Sequence, residues 1–68
     1  MDMKGIGQMI RLARIKKGMT QADLAETIGV SQGAVGQWEN GMTIPRPKHI
    51  VRLSSLLEIP VDELLKAG

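Results

Sequence analysis

Residues able to make or break bonds are scarce in this 68-residue chain. It has one histidine, His49, and no cysteine. Without cysteine there is no disulfide and no thiolate zinc site, and His49 has no carboxylate partners at a ligand spacing. No glycine-rich phosphate loop follows a strand pattern, and no paired carboxylates mark a cleft. The chain is therefore read as a non-enzyme with no metal, no cofactor and no small-molecule ligand. His49 is read as a helix-surface residue. Trp38, the sole aromatic residue, falls on the same helical face as Val35 and is read as core rather than as a stacking platform. The five methionines are read as core filler and as the start of the chain.

Charge says something about partners. The formal net charge is +2 and the sequence pI is about 9.4, a weak sign of an anionic partner. Residues 1–20 carry five basic residues and one acidic, residues 21–40 carry three acidic and no basic, and residues 41–68 carry four basic and three acidic. Positive charge thus flanks an acidic middle, although ordinary solvated faces would give the same pattern. No apolar run approaches the roughly 18 residues that a membrane span needs. Lys4, Arg11 and Arg14 interrupt any leader-like stretch, so a cytoplasmic location is expected.

The elements that must carry any function are helices. Val, Ile and Thr are scattered rather than alternating, which argues against strands. Five apolar clusters sit at helical spacing. The first spans about Lys4 to Lys17, with Ile6, Met9, Ile10 and Ala13 on one face and Gly18 as its stop. The second opens at Thr20, where Asp23 completes a near-capping box; it buries Leu24, Ala25 and Ile28 and ends at Gly29. The third opens at Ser31 as N-cap, places Ala34, Val35 and Trp38 inward, and stops at Asn40-Gly41. An extended loop with Pro45 and Pro47 follows. The fourth runs from about Pro47 to Leu57 with Ile50, Leu53, Leu56 and Leu57 as its stripe. The fifth runs from about Pro60 to Lys66 with Val61, Leu64 and Leu65 apolar. The expected fold is all-α, one compact five-helix domain over residues 1–68.

The informative feature is the second and third helices together, residues 20–40. Only Gly29-Val30-Ser31 separates them, so they must cross steeply. That geometry sets size rules. A small residue is needed at Ala25, where the helices come closest. A residue tolerant of positive φ is needed at Gly29. Val30 tucks under the turn, and Val35 and Trp38 face inward. All five positions hold a suitable residue.

The stretch T-Q-A-D-L-A-E-T-I-G-V-S-Q-G-A-V-G-Q-W-E-N-G resembles the helix-turn-helix of the lambdoid phage repressor and Cro family of transcriptional regulators. The resemblance extends from about Ile6 to Lys66 and includes the P-x-P loop and the final I-P-V-D-E-L-L-K. It implies a lambda-repressor-like fold, with the helix from Ser31 lying in the DNA major groove. Gln32 and Gln37 would then face base edges, where a glutamine amide pairs with adenine N6 and N7. Gln21 resembles the family glutamine that holds a phosphate and buttresses the first reading glutamine. Gly33 stands where other members carry a polar reader; close backbone approach to the DNA and simple tolerance at an exposed site both account for it. Ser31 is read first as a helix cap, a role compatible with a phosphate contact. Arg14 and Glu39 resemble a pair that bridges the first and third helices, and an ion pair between them is expected. Asn40, Thr43, Arg46 and Lys48 are placed for phosphate contacts. With no Lys or Arg in the third helix, contacts biased to A·T are expected in the outer half-site.

One such module buries only about 600–1,000 Å² on DNA, so a homodimer on a two-fold symmetric site is expected. Its candidate surface is Ile44, Pro45, Leu56, Ile59, Pro60 and Val61, several of which would equally complete the core. The resulting expectation is a repressor that binds double-stranded DNA. The alternatives left open are an antitoxin-type regulator with a protein partner and a protein-interaction module that has lost DNA binding.

Overall fold

A computed structural model describes residues 5–67. It contains α1 (Gly5–Lys16), α2 (Gln21–Ile28), α3 (Gln32–Glu39), α4 (Pro47–Leu57) and α5 (Val61–Ala67), with no strand among the described residues. Lys4, Met1 and Met3 lie outside them.

The ends of the helices follow from local chemistry. At the end of α1, Gly18 adopts a φ of +72°. Its N–H donates to the Ile15 carbonyl at 2.9 Å, and the Met19 N–H donates to the Arg14 carbonyl at 3.1 Å. These paired bonds form a Schellman cap that glycine makes without side-chain strain. Helix α2 opens with a complete capping box. The Asp23 N–H donates to Thr20 Oγ1 at 2.9 Å, and the Thr20 N–H donates to Asp23 Oδ2 at 3.0 Å. Those bonds, the one from the Thr20 backbone foremost, hold the Asp23 carboxyl below its ordinary pKa. Gly29, at φ +91°, ends α2. Arg52 on α4 donates to the Ile28 carbonyl at 3.1 Å, adding a cation at the negative end of α2. In α3, Ser31 Oγ accepts from the Ala34 N–H at 3.1 Å.

Helix α4 starts with Pro47 and stops without a glycine. Glu58 takes the left-handed conformation at φ 60°, a position that disfavours side chains. Its carboxylate pairs with Lys17 Nζ at 3.3 Å on the surface, and the Ser54 hydroxyl donates to the Ile59 carbonyl beyond it. Pro60 then sets the start of α5, accepting from the Leu64 N–H at 3.2 Å.

One core joins all five helices. It holds Ile6 and Ile10 of α1, Leu24, Ala25 and Ile28 of α2, Val35 and Trp38 of α3, Ile50, Leu53 and Leu57 of α4, and Leu64 of α5. Met9, Ala13, Met19, Val30, Ala34, Leu56 and Ile59 are partly buried against it. Helix α3 is packed by both α1 and α2, while α5 closes over α1 and α4. Each of these helices is too short to persist alone, so its stability comes from the face it buries.

Several expectations need correction. Met42 is 71% exposed and Leu65 is 60% exposed, so neither contributes to the core. Met42 lies in the loop, and Leu65 lies on the outer side of a helix that buries only Leu64. His49 is half-buried rather than on the surface. Its ring lies 5.8 Å from that of Trp38, centroid to centroid, in a tilted arrangement.

Candidate nucleic-acid interface

The tight break between α2 and α3 behaves as the size rules require. Ala25, Val35 and Trp38 are buried, Gly29 is left-handed and Val30 is half-buried. This leaves the opposite side of α3 as a free surface. Gln32, Gly33 and Gln37 are exposed and Gly36 is half-buried. Positions 32 and 36, and 33 and 37, are four residues apart, so these four residues form one patch. The patch carries two amides and two bare Cα atoms, with no charge.

Nothing inside the chain explains the glycine at 33. A Cβ built there meets only Ser31 Oγ, at 3.8 Å. Glycine within a helix costs about 1 kcal/mol relative to alanine, and packing gives no return for it here. Ser31 is exposed with its hydroxyl committed to the helix cap.

Behind the patch lies a polar cluster that ties three helices together. Glu39 is the single buried charged residue among the described ones, with its side chain 2% exposed. It accepts from Arg14 Nε at 2.7 Å through Oε2 and from Arg14 Nη2 at 3.1 Å through Oε1. This is the expected ion pair, in two-point geometry. Arg14 Nη1 also donates to the Met19 carbonyl at 2.8 Å, so the guanidinium is fixed on three sides. Its hydrogen bonds to Glu39 raise the Arg14 pKa above the ordinary value; burial opposes that rise and the Glu39 charge adds to it. Like arginines in proteins generally, Arg14 carries its charge here. A third donor, Gln21 Nε2, reaches Glu39 Oε1 at 3.1 Å. Sequence reasoning assigned Gln21 to a phosphate and to Gln32, and missed this bond.

The remaining candidate residues lie beyond the end of α3. Asn40 forms its exposed C-terminal cap. The chain then turns back on α3, with the Met42 N–H donating to the Gln37 carbonyl at 2.9 Å and the Thr43 N–H at 3.4 Å. Thr43, Arg46 and Lys48 are all exposed, Arg46 as the N-cap residue of α4 and Lys48 in its first turn. Of the expected pairing surface, Ile44 is 64% exposed, Pro60 and Val61 are exposed, and Leu56 and Ile59 are half-buried. Pro45 is buried within the single chain. The loop folds it inward, which removes it from any surface offered to a second copy.

Two close approaches were not anticipated. A Cβ on Gly7 would overlap the Trp38 carbonyl oxygen and would lie 3.1 Å from that of Glu39. Helix α1 thus crosses the end of α3 backbone to backbone, which brings Arg14 alongside Glu39 two turns later. A Cβ on Gly5 would overlap the Ala67 carbonyl oxygen. The available signal was a glycine within an otherwise regular helical pattern.

No group of three His, Asp or Glu residues among the described ones could hold a metal ion, and no described helix is long and apolar enough to cross a membrane.

Comparison with known proteins agrees with this geometry. Residues 10–64 match a family model described as helix-turn-helix. Repressor protein C2 of Salmonella phage P22 is 38% identical over 66 residues, which cover 97% of this chain and 31% of that protein. The transcriptional repressor RstR of cryptic phage CTXphi in Vibrio cholerae is 38% identical over 56 residues, 79% of this chain and 50% of its own length. The chain therefore spans half or less of these two relatives. The crystal structure of the P22 c2 repressor in complex with a synthetic operator matches at a TM-score of 0.87 and 36% identity, over 97% of this chain and 100% of that one. With the family match covering most of its length, this chain belongs to the helix-turn-helix family.

Proposed function

We propose that this chain binds double-stranded DNA in a sequence-specific manner and acts in the cytoplasm as a transcriptional repressor. Helix α3 enters the major groove with the patch at 32–37 toward the bases. The observation that carries this reading is the agreement of two independent features. The one uncharged polar face left open on α3 holds Gln32 and Gln37, and the whole fold matches a repressor whose structure contains operator DNA. In this reading Gln32 and Gln37 contact base edges, and an amide pairs best with adenine. Gly33 lets the helix backbone come close to the groove. Gln21, Ser31, Asn40, Thr43, Arg46 and Lys48 hold phosphates, contacts that set register rather than sequence. Arg14 and Glu39 brace the arrangement from behind.

A single module of this size reads too few base pairs, so two copies bind a symmetric site. Ile44, Pro60 and Val61 form the pairing surface, with Leu56 and Ile59 at its edge. Repression follows from steric exclusion of polymerase at the occupied site.

Selection from a random duplex library at roughly physiological salt tests this. The expected product is a two-fold symmetric site with half-sites about one helical turn apart and adenine at the outer positions. Recovery of no sequence, with binding that vanishes as salt rises, would be purely electrostatic attraction and would remove the reading.

A further inference from the structure

The contact between Gln21 and Glu39 fixes more than position. A carboxylate only accepts hydrogen bonds, so the end of the Gln21 amide that faces it must be nitrogen. Glu39 therefore determines which way the amide points, with Nε2 inward at 3.1 Å and Oε1 away. The Glu39 carboxylate cannot turn to relax this, because Arg14 holds both of its oxygens. The amide passes beside Gly36: a Cβ there would lie 3.8 Å from Gln21 Oε1 and 4.0 Å from Nε2, at ordinary contact distance. The Gln21 amide thus lies over residue 36, the neighbour of Gln32 on the α3 surface.

We propose that Glu39 is a positioning residue for base choice, acting through Gln21 on Gln32. This rests on the DNA-binding reading above and adds a direction to it. With Oε1 outward, Gln21 offers Gln32 an acceptor. Gln32 gives it one amide hydrogen, which leaves the second hydrogen and the Gln32 carbonyl for the base. One donor beside one acceptor matches adenine N7 and N6. With the Gln21 amide reversed, Nε2 would donate to the Gln32 carbonyl instead. Gln32 would then present two hydrogens, which match the two acceptors of guanine, N7 and O6. The buried carboxylate on α3 thus selects adenine over guanine at a base it never touches.

Glu39→Gln tests this, because an amide at 39 can donate or accept and so releases the direction of Gln21. The ratio of affinities for adenine and guanine duplexes at the outer position is expected to fall about tenfold, within the range of one bidentate pair. Gln21→Met leaves the Arg14–Glu39 pair intact and should lower the same ratio, which guards against a fold defect in the first variant. A merely structural role would change stability or overall affinity and leave the ratio unchanged, and an unchanged ratio in Glu39→Gln would overturn the proposal. The free protein supplies a separate reading. By NMR the Gln21 side-chain amide should exchange slowly and stand apart from the other glutamines, and Glu39→Gln should abolish this. A freely averaging Gln21 amide would overturn the proposal alone. A held amide in a wild-type chain with no base preference would overturn it together with the DNA-binding reading.

Discussion

Arg14→Ala is expected to lower stability by about 2–4 kcal/mol, because it leaves a carboxylate buried without its cation. The cost arises from what remains. The Glu39 side chain is 2% exposed, so water cannot take over the bonds from Arg14 Nε and Nη2. Gln21 Nε2 stays as one neutral donor, and the Met19 carbonyl loses its partner as well. For a domain of this size the loss corresponds to a fall in Tm on the order of 10–20 °C. The reverse truncation should cost less. The Arg14 side chain is 12% exposed, and its long stem lets the guanidinium reach water. Glu39→Ala is therefore expected to cost roughly half as much, about 1–2 kcal/mol. Replacing both by methionine should recover most of the Arg14→Ala loss, since two apolar groups leave no orphaned charge. Thermal or urea unfolding of the three variants measures this. Equal losses for the two single variants would show that burial of the carboxylate is not what sets the cost.

Gly7→Ala should be the other large effect, and its sign is opposite to what helix propensity alone predicts. Alanine in an exposed helix interior is worth about 1 kcal/mol over glycine. At Gly7 the added methyl would overlap the Trp38 carbonyl oxygen, and the obstacle is backbone that cannot rotate away. Helix α1 would have to lift from α3, which opens the core at Ile6, Ile10 and Trp38 and separates Arg14 from Glu39. Overpacking of this kind costs typically 1–3 kcal/mol, and the disturbed ion pair brings the net loss to roughly 2–3 kcal/mol. Gly33→Ala is the internal control. The nearest atom to its Cβ is 3.8 Å away, so the same substitution there should raise Tm. Stabilisation at both sites in calorimetry would mean that the α1–α3 approach is not as close as described.

What could be read from the sequence was local. Thr20, Ser31, Gly18 and Gly29 announce the ends of helices through their own chemistry, and each end falls where those residues place it. The apolar positions of α1 to α4 follow from periodicity, because burial of one face is what makes a short helix persist. The Arg14–Glu39 pair came from resemblance, since no local rule connects positions 25 residues apart. The Gln21 bond to Glu39, the Arg52 bond to the α2 terminus and the Gly7 crossing escaped notice for the same reason. Each depends on which helix crosses which, and at what height. Hydrophobicity also failed to separate Pro45, which is buried, from Met42 and Ile44, which are exposed. Those three share one loop, and its path is set by backbone bonds to Gln37 that leave no trace in composition. Glu58 shows a related limit. The left-handed position at the end of α4 would ordinarily be marked by glycine, and here a glutamate occupies it.

The central claim is that the exposed face of α3 reads base edges. Its most direct test is the affinity of wild type and Gln32→Ala for a selected duplex and for an unrelated one, at the same salt. Gln32 is exposed at the first turn of α3, so the variant should unfold at nearly the wild-type temperature. The predicted result is a loss of about tenfold or more on the selected duplex, with affinity for the unrelated duplex unchanged. An equal ratio of the two affinities in both proteins would contradict the claim.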